Sequence, residues 1–235
     1  MGFLNETVEI PRRTMILFFL VDTSGSMYGD KIGAVNEAIL ESVPDIKDLS
    51  EANADAQIKI AALSFSSGAE WLYDQPIDSE SFHWNYLKAE GTTDLGFALT
   101  MLKDKLSKDQ FMQEATGSFA PVIILLSDGA PTDDYKTALD EIKKNNWFKA
   151  GIKIAIAIGK DADKQILQEF TGTSETVIEV HAKSTLKKLI RFVSVRASQV
   201  NSKSSGVGES KEQEIIDGIG EFVEQENLND VEDGW

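Results

Sequence analysis

The sequence predicts an α/β protein with a doubly wound, mostly parallel central sheet flanked by helices. Two apolar runs, at 14–22 and 121–126, lack the polar alternation of a half-exposed strand. Each suits a strand buried on both faces. Between the strand-like segments lie stretches whose apolar residues recur at helical spacing. Strands separated by helices pair in parallel and send their helices to both faces of the sheet.

Taken in order, the first strand at 14–22 is followed by a helix from Asp30 to about Leu49, on which Ile32, Val35, Ala38, Ile39 and Val43 share a face. Pro44 is expected to break or kink its later turns. Residues 57–65 read as a strand, and 69–73 and 82–87 as shorter ones. A helix over 94–106 buries Leu95, Ala98, Leu99 and Leu102. The second buried strand, 121–126, leads to a helix after Thr132 that carries Tyr135, Ala138, Leu139 and Ile142. A strand at 151–159, a short helix at 164–170, a strand at 176–180 and a helix at 185–200 complete the domain.

Residues 1–200 are thus read as one domain and 201–235 as a flexible acidic tail. The stretch 202–208 is a linker by composition. From 202 onward there are ten acidic and two basic residues, half of the chain's net charge of -16. Within the tail, Ile215, Ile216, Ile219, Phe222 and Val223 have amphipathic helical spacing, weakened by Gly218 and Gly220.

At 235 residues, 42% hydrophobic and 26% charged, the composition is globular. So acidic a chain repels phosphate backbones, which argues against nucleic acid as a partner. With no cysteine, disulfides, zinc-thiolate sites and cysteine nucleophiles are excluded. Residues 1–6 carry no basic leader region, and the first apolar run falls far short of the ~20 residues that span a bilayer. A cytoplasmic protein with no membrane partner is expected.

The chemistry lies where the buried strands run out. In extended chain, Asp22, Ser24 and Ser26 point the same way, so one carboxylate and two hydroxyls converge at the end of the first strand. The strand at 121–126 ends in Ser127-Asp128-Gly129 and delivers a second carboxylate to the same edge. Between them in sequence, Gly91-Thr92-Thr93-Asp94-Leu95-Gly96 offers two more hydroxyls on a loop feeding a helix. Ligands of open parallel sheets bind beyond the carboxyl ends of the strands. Five oxygen donors from three loops there suit a hard divalent cation.

These three elements resemble the von Willebrand factor A family. Its metal-ion-dependent adhesion site uses Asp-x-Ser-x-Ser, a distant Thr and a distant Asp. The resemblance spans roughly 14–200, with the elements in the family's order. It implies Asp22, Ser24, Ser26, Thr93 and Asp128 as metal ligands. Thr92 stands where the family often has glycine, which makes it the alternative to Thr93. Mg²⁺ is the expected ion, with Mn²⁺ or Ca²⁺ as alternatives. Three of the five ligands are neutral, so the ion stays electrophilic, and an Asp or Glu of a partner protein can complete its shell. The resemblance therefore implies an interaction module rather than an enzyme.

Gly25-Ser26-Met27, the stretch 31–36 and the stretch 127–134 further resemble compact bacterial proteins of the tellurium-resistance type. That implies a signalling, stress-response or phage-defence role, with a protein kinase or a PP2C-like phosphatase among the partners.

Two other readings compete. A metal with two carboxylates can assist phosphoryl chemistry, so a metal-dependent phosphohydrolase is the alternative activity. Against it, no histidine sits near the three elements and no Gly-rich phosphate loop occurs. The acidic tail could also dock on the metal site as a form of self-regulation. Asp133 and Asp134 are read as charges at a helix N-terminus capped by Thr132, rather than as further ligands. Asp94 is either a support for the ligands or a helix N-terminal charge. His83 and His181 read as ordinary surface or strand residues, and the aromatics at 71–86 as strand packing.

Overall fold

The computed structural model describes residues 12–112, 117–201 and 211–225. β1 (Arg13–Asp22) is the middle strand of a seven-stranded sheet. β2 (Ala56–Ser66) pairs parallel to it on one side, and β3 (Gly68–Trp71) and β4 (Ile77–Asp78) pair antiparallel to the outer edge of β2. The chain then crosses to the other side of β1. There β5 (Val122–Ser127), β6 (Ile152–Ile158) and β7 (Val177–Val180) follow one another in parallel. The strand order 3-2-1-5-6-7 reverses direction at β1, so the β1–β5 seam is the topological switch point.

Successive side chains of β1 feed two separate cores. Met15, Leu17, Phe19 and Val21 pack on one face against α1 (Asp30–Ala52) and α6 (Lys183–Asn201). Ile16, Phe18 and Leu20 pack on the other against α2 (Leu95–Lys105), α3 (Tyr135–Ile142), α4 (Asn146–Ala150) and α5 (Lys164–Thr171). Every one of these β1 side chains is essentially inaccessible. That is the physical content of an apolar run without alternation: at about 1.5–3 kcal/mol per large side chain, burial on both faces locks the strand in place.

Three expectations are corrected. α1 runs unbroken through Pro44. The carbonyl that Pro44 cannot serve belongs to Leu40, which is exposed, so water can replace the missing donor. Residues 82–87 form no strand. Phe82 and Trp84 are buried as alternation demands, but the Leu87 backbone is taken by the Asn36 side chain, which donates to its carbonyl at 2.9 Å and accepts from its N–H at 2.8 Å. The short elements β4 and α4 carry too little periodicity to have been foreseen.

The third correction concerns the tail. Residues 211–225, inside the span expected to be flexible, form α7 (Lys211–Gln225) docked on the domain. Ile215 and Ile219 are buried, and Phe222 stacks on Phe192 of α6 with centroids 4.4 Å apart. The apolar spacing outweighs the glycines: Gly218 lies where an added Cβ would sit 3.1 Å from Nε of Arg196, so its bare backbone permits the close approach of α6. Residues 202–210 and 226–235 lie outside the described residues.

Candidate metal centre

At the carboxyl edge of the sheet, the β1–β5 seam brings Asp22 and Asp128 side by side. β1 ends at Asp22, and the chain turns through a short 3-10 helix (Gly25–Met27) into α1. The Ser24 N–H donates to Asp22 Oδ1 at 2.8 Å and so folds the turn back over the carboxylate. Asp22 Oδ2 accepts from the Ser127 hydroxyl at 2.6 Å, across the seam. In the other direction, Ser26 donates to Asp128 Oδ1 at 2.7 Å, and the Ser24 and Ser26 hydroxyls lie 3.0 Å apart. Lys31, in the first turn of α1, pairs with Asp128 Oδ2.

The third loop is laced in through backbone. Gly25 N–H donates to the Gly91 carbonyl, Glu90 N–H to that of Thr23, and Asp94 N–H to that of Ser66. Gly91 has φ +82°, and a Cβ there would meet Ser67 Oγ at 2.5 Å, so only glycine fits this turn. Thr93 is buried and its N–H donates to the Thr132 hydroxyl at 3.0 Å, while Thr132 N–H donates to the Thr93 carbonyl. Thr92 is exposed and its hydroxyl turns to Ser67 and Asp94. A Cβ built on Gly129 would stand 3.5 Å from the Ser26 hydroxyl and 4.0 Å from that of Thr93. Of the two threonines, Thr93 is therefore the one whose hydroxyl reaches the cluster.

Asp22, Ser24, Ser26, Thr93 and Asp128, the residues singled out in the sequence, thus come together from three loops separated by up to about a hundred residues. Four of the five are buried, and Ser26 is the exposed member through which the cluster meets solvent. Burial pushes the Asp22 carboxyl above the usual carboxylate range and the neighbouring charge of Asp128 adds to it, while hydrogen bonds from Ser127 and Ser24 pull it back. A positive charge at this point relieves that strain.

The donor set fits a small hard cation. All five side chains offer oxygen, and the glycine at 129 leaves open the space beside Ser26 and Thr93 that a Cβ would fill. Among the described residues no cluster of three His, Asp or Glu side chains could hold a metal. Binding here would rest on two carboxylates with hydroxyls, not on a carboxylate cage.

The supporting residues were largely missed in the sequence. Ser127 reads there as one more residue of a strand end, yet its hydroxyl holds Asp22. Asp133 and Asp134 are helix caps, but for different helices: Asp134 caps α3, accepting from Thr137 N–H at 3.3 Å, while Asp133 accepts from Gly96 and Phe97 N–H at 2.9 Å and caps α2. Thr132 serves the Thr93 loop instead of capping. Asp94 supports that loop too, accepting from Gly68 N–H at 2.8 Å. His83 contacts the Ser81 carbonyl and His181 pairs with Glu179, so both histidines are engaged away from the cluster.

The sheet order, the two helical layers and the switch-point cluster define a class of protein, and the comparisons agree with it. The model of the von Willebrand factor type A domain matches residues 17–192, and the chain belongs to that family. No curated protein matches the chain. Among solved structures it is similar to a von Willebrand factor type A protein from Catenulispora acidiphila, with TM-score 0.58, 19% identity, and coverage of 78% of this chain and 42% of that one. It is also similar to the ArnB paralog VWA2 from Sulfolobus acidocaldarius, at 0.55 and 21%, covering 75% and 44%. Proximal thread matrix protein 1 of the mussel byssus, a structure with a zinc-occupied MIDAS motif, matches at 0.58 and 16%, covering 78% and 48%. The chain spans less than half the length of each of these proteins. Among the described residues no helix is long and apolar enough to cross a membrane.

Proposed function

We propose that the chain is a metal-dependent protein-binding module rather than an enzyme. Asp22, Ser24, Ser26, Thr93 and Asp128 hold the ion, and a carboxylate of a partner protein completes its shell. The observation that carries this reading is the convergence of two carboxylates and three hydroxyls from three loops at the β1–β5 seam, with Ser26 open to solvent. Mg²⁺ is the ion by cellular abundance, and Mn²⁺ binds such oxygen sites more tightly.

When bound, the ion supplies a Lewis-acidic position for an incoming carboxylate. The chain's own residues do the rest. Ser127 and the Ser24 N–H fix both oxygens of Asp22, Lys31 and Ser26 fix those of Asp128, and Thr132 fixes the backbone at Thr93. A cluster held this firmly presents its donors with little rearrangement. Exposed aromatics also flank it in sequence: Tyr28 two residues beyond Ser26 and Phe97 four beyond Thr93. Exposed aromatic side chains beside a charged anchor suit a protein partner.

The resemblance of stretches 31–36 and 127–134 to the tellurium-resistance type supports a narrower placement: a cytoplasmic protein of a bacterial stress-response, signalling or phage-defence system, partnered by a kinase or a PP2C-like phosphatase.

The test is thermal unfolding with and without Mg²⁺ or Mn²⁺, joined to a pull-down from the source cell. The parent should melt about 5–10 °C higher at a hundredfold excess of ion over its Kd. It should also retain its partner only without chelator. Asp22→Ala should show neither effect. A partner kept equally by both proteins, with or without chelator, would sink the metal-bridged reading. Metal-stimulated hydrolysis of p-nitrophenyl phosphate by the parent, lost in Asp22→Ala, would establish an enzyme instead.

A further inference from the structure

We propose that Lys31 sets the charge of this centre, weakening its hold on the ion and strengthening its demand for a partner's carboxylate. The inference rests on the metal-dependent reading above and assigns a role to a residue outside the ligand set.

The Lys31 side chain is 19% exposed, and it reaches from the first turn of α1 to Asp128, whose side chain is fully buried. Its ammonium pairs with Asp128 Oδ2, while Asp128 Oδ1 accepts from Ser26 at 2.7 Å. The two oxygens of one carboxylate therefore face different partners. One addresses the hydroxyls of the cluster, and the other is held by a fixed cation. That pairing turns Oδ1 toward the cluster, beside the Ser26 hydroxyl, while Oδ2 stays with the ammonium.

Charge decides what this does. Two carboxylates and one ammonium leave the cluster with a single net negative charge. A divalent ion turns it to a single positive charge, and one carboxylate from a partner brings it to zero. Without Lys31, the ion alone would neutralise the cluster. An incoming carboxylate would then leave an excess negative charge in a mostly buried place, where unpaired charge is costly. Lys31 thus opposes the ion and favours the ligand.

The two effects have opposite signs, which separates this role from a structural one. If Lys31 merely positioned Asp128, removing it would weaken the ion and leave the ligand's preference unchanged. The experiment uses the full chain with Mn²⁺ as the ion and acetate as the carboxylate probe. Free Mn²⁺ is followed by electron paramagnetic resonance. Displacement of Mn²⁺-bound water by acetate is followed by water-proton relaxation. Lys31→Met and Lys31→Gln should bind Mn²⁺ about tenfold more tightly than the parent, as expected for loss of one nearby like charge. Saturated with Mn²⁺, both should need several times more acetate to displace the water. Lys31→Arg, which keeps the charge, should follow the parent in both titrations.

Unchanged or weaker Mn²⁺ binding by the two neutral variants would overturn the proposal, and so would an acetate response equal to the parent's. Absence of Mn²⁺ binding by the parent would remove the underlying reading and this inference with it. If Lys31→Met does not fold, the smaller polar Lys31→Gln answers the same question.

Discussion

At the residue scale, the site depends on which side chain faces the cluster rather than on which is nearby in sequence. Thr92 and Thr93 show this most directly: one turns to Ser67 and Asp94, and the other is buried with its backbone held by Thr132. Thr93→Val keeps the shape and removes the hydroxyl, so Mn²⁺ affinity should fall on the order of tenfold or more, whereas Thr92→Val should leave it unchanged. A titration of free Mn²⁺ separates the two. Ser127→Ala should cost about 10–100-fold in the same titration, because Asp22 Oδ2 loses the donor that orients it. The ligand candidates were legible because one apolar run ends in Asp22 and the other leads within two residues to Asp128, and a strand buried on both faces must deliver its end to the sheet edge. Ser127 and Lys31 were not. Nothing in a lone serine at a strand end, or a lysine opening a helix, marks a second residue about a hundred positions away as its partner.

At the scale of elements, the loop that carries Thr93 is secured from α1 as much as from its own strand. Asn36, buried in α1, accepts from the Trp84 indole N–H at 3.0 Å and from the Leu87 N–H, and donates to the Leu87 carbonyl. Asn36→Ala strands these groups and should cost roughly 2–4 kcal/mol in chemical denaturation. Here periodicity misled: the alternation of Phe82 and Trp84 is that of a strand, but a side chain supplies the hydrogen bonds a ladder would have given. A second element contact joins α2 to α3. A Cβ on Gly96 would come within 2.9 Å of the Asp134 carbonyl and of Tyr135 Cα, so Gly96→Ala should destabilise by about 1–3 kcal/mol. On the opposite face, α6 grips α1 through Lys187 with Glu37 and Glu41, and Arg191 with Asp45. The hydrogen bond from Lys187 holds the Glu37 carboxyl below its ordinary value of 4.5. A carboxyl lowered in the folded state contributes stability that is present above the unfolded value and lost as pH falls through the folded one. Lys187→Ala should therefore lower Tm slightly at pH 7, and the difference should vanish at strongly acid pH.

At the scale of the whole molecule, α7 lies beyond the span matched by the family model, residues 17–192. It packs on α6, and its Ile216, Ile219 and Val223 face Val177 and Ile178 of β7 across a cavity. Its first residue, Lys211, lies over Phe119, at the end of the sheet opposite the candidate metal centre, where the Phe119 N–H donates to the Thr14 carbonyl near the start of β1. Deleting 211–235 should lower Tm by several degrees, since the burial of Ile215 and Ile219 and the stack on Phe192 are lost, and should leave Mn²⁺ affinity unchanged. Weaker or tighter Mn²⁺ binding after that deletion would instead revive self-regulation by the acidic tail. The sequence showed the apolar face of α7 but not what it lies on, because a docking surface assembled from α6 and β7 exists only once the sheet is built.

The hydrogen bonds that close the centre, Ser26 to Asp128 and Ser127 to Asp22, span 102 and 105 residues. During synthesis, Asp22, Ser24 and Ser26 therefore leave the ribosome long before their partners. At about 5–20 residues per second, the gap lasts roughly 5–20 s. Throughout that interval the nascent chain carries a recognisable segment with no site in it. A chain cut short before Asp128 would lack the second carboxylate, so no unfinished copy can assemble the cluster.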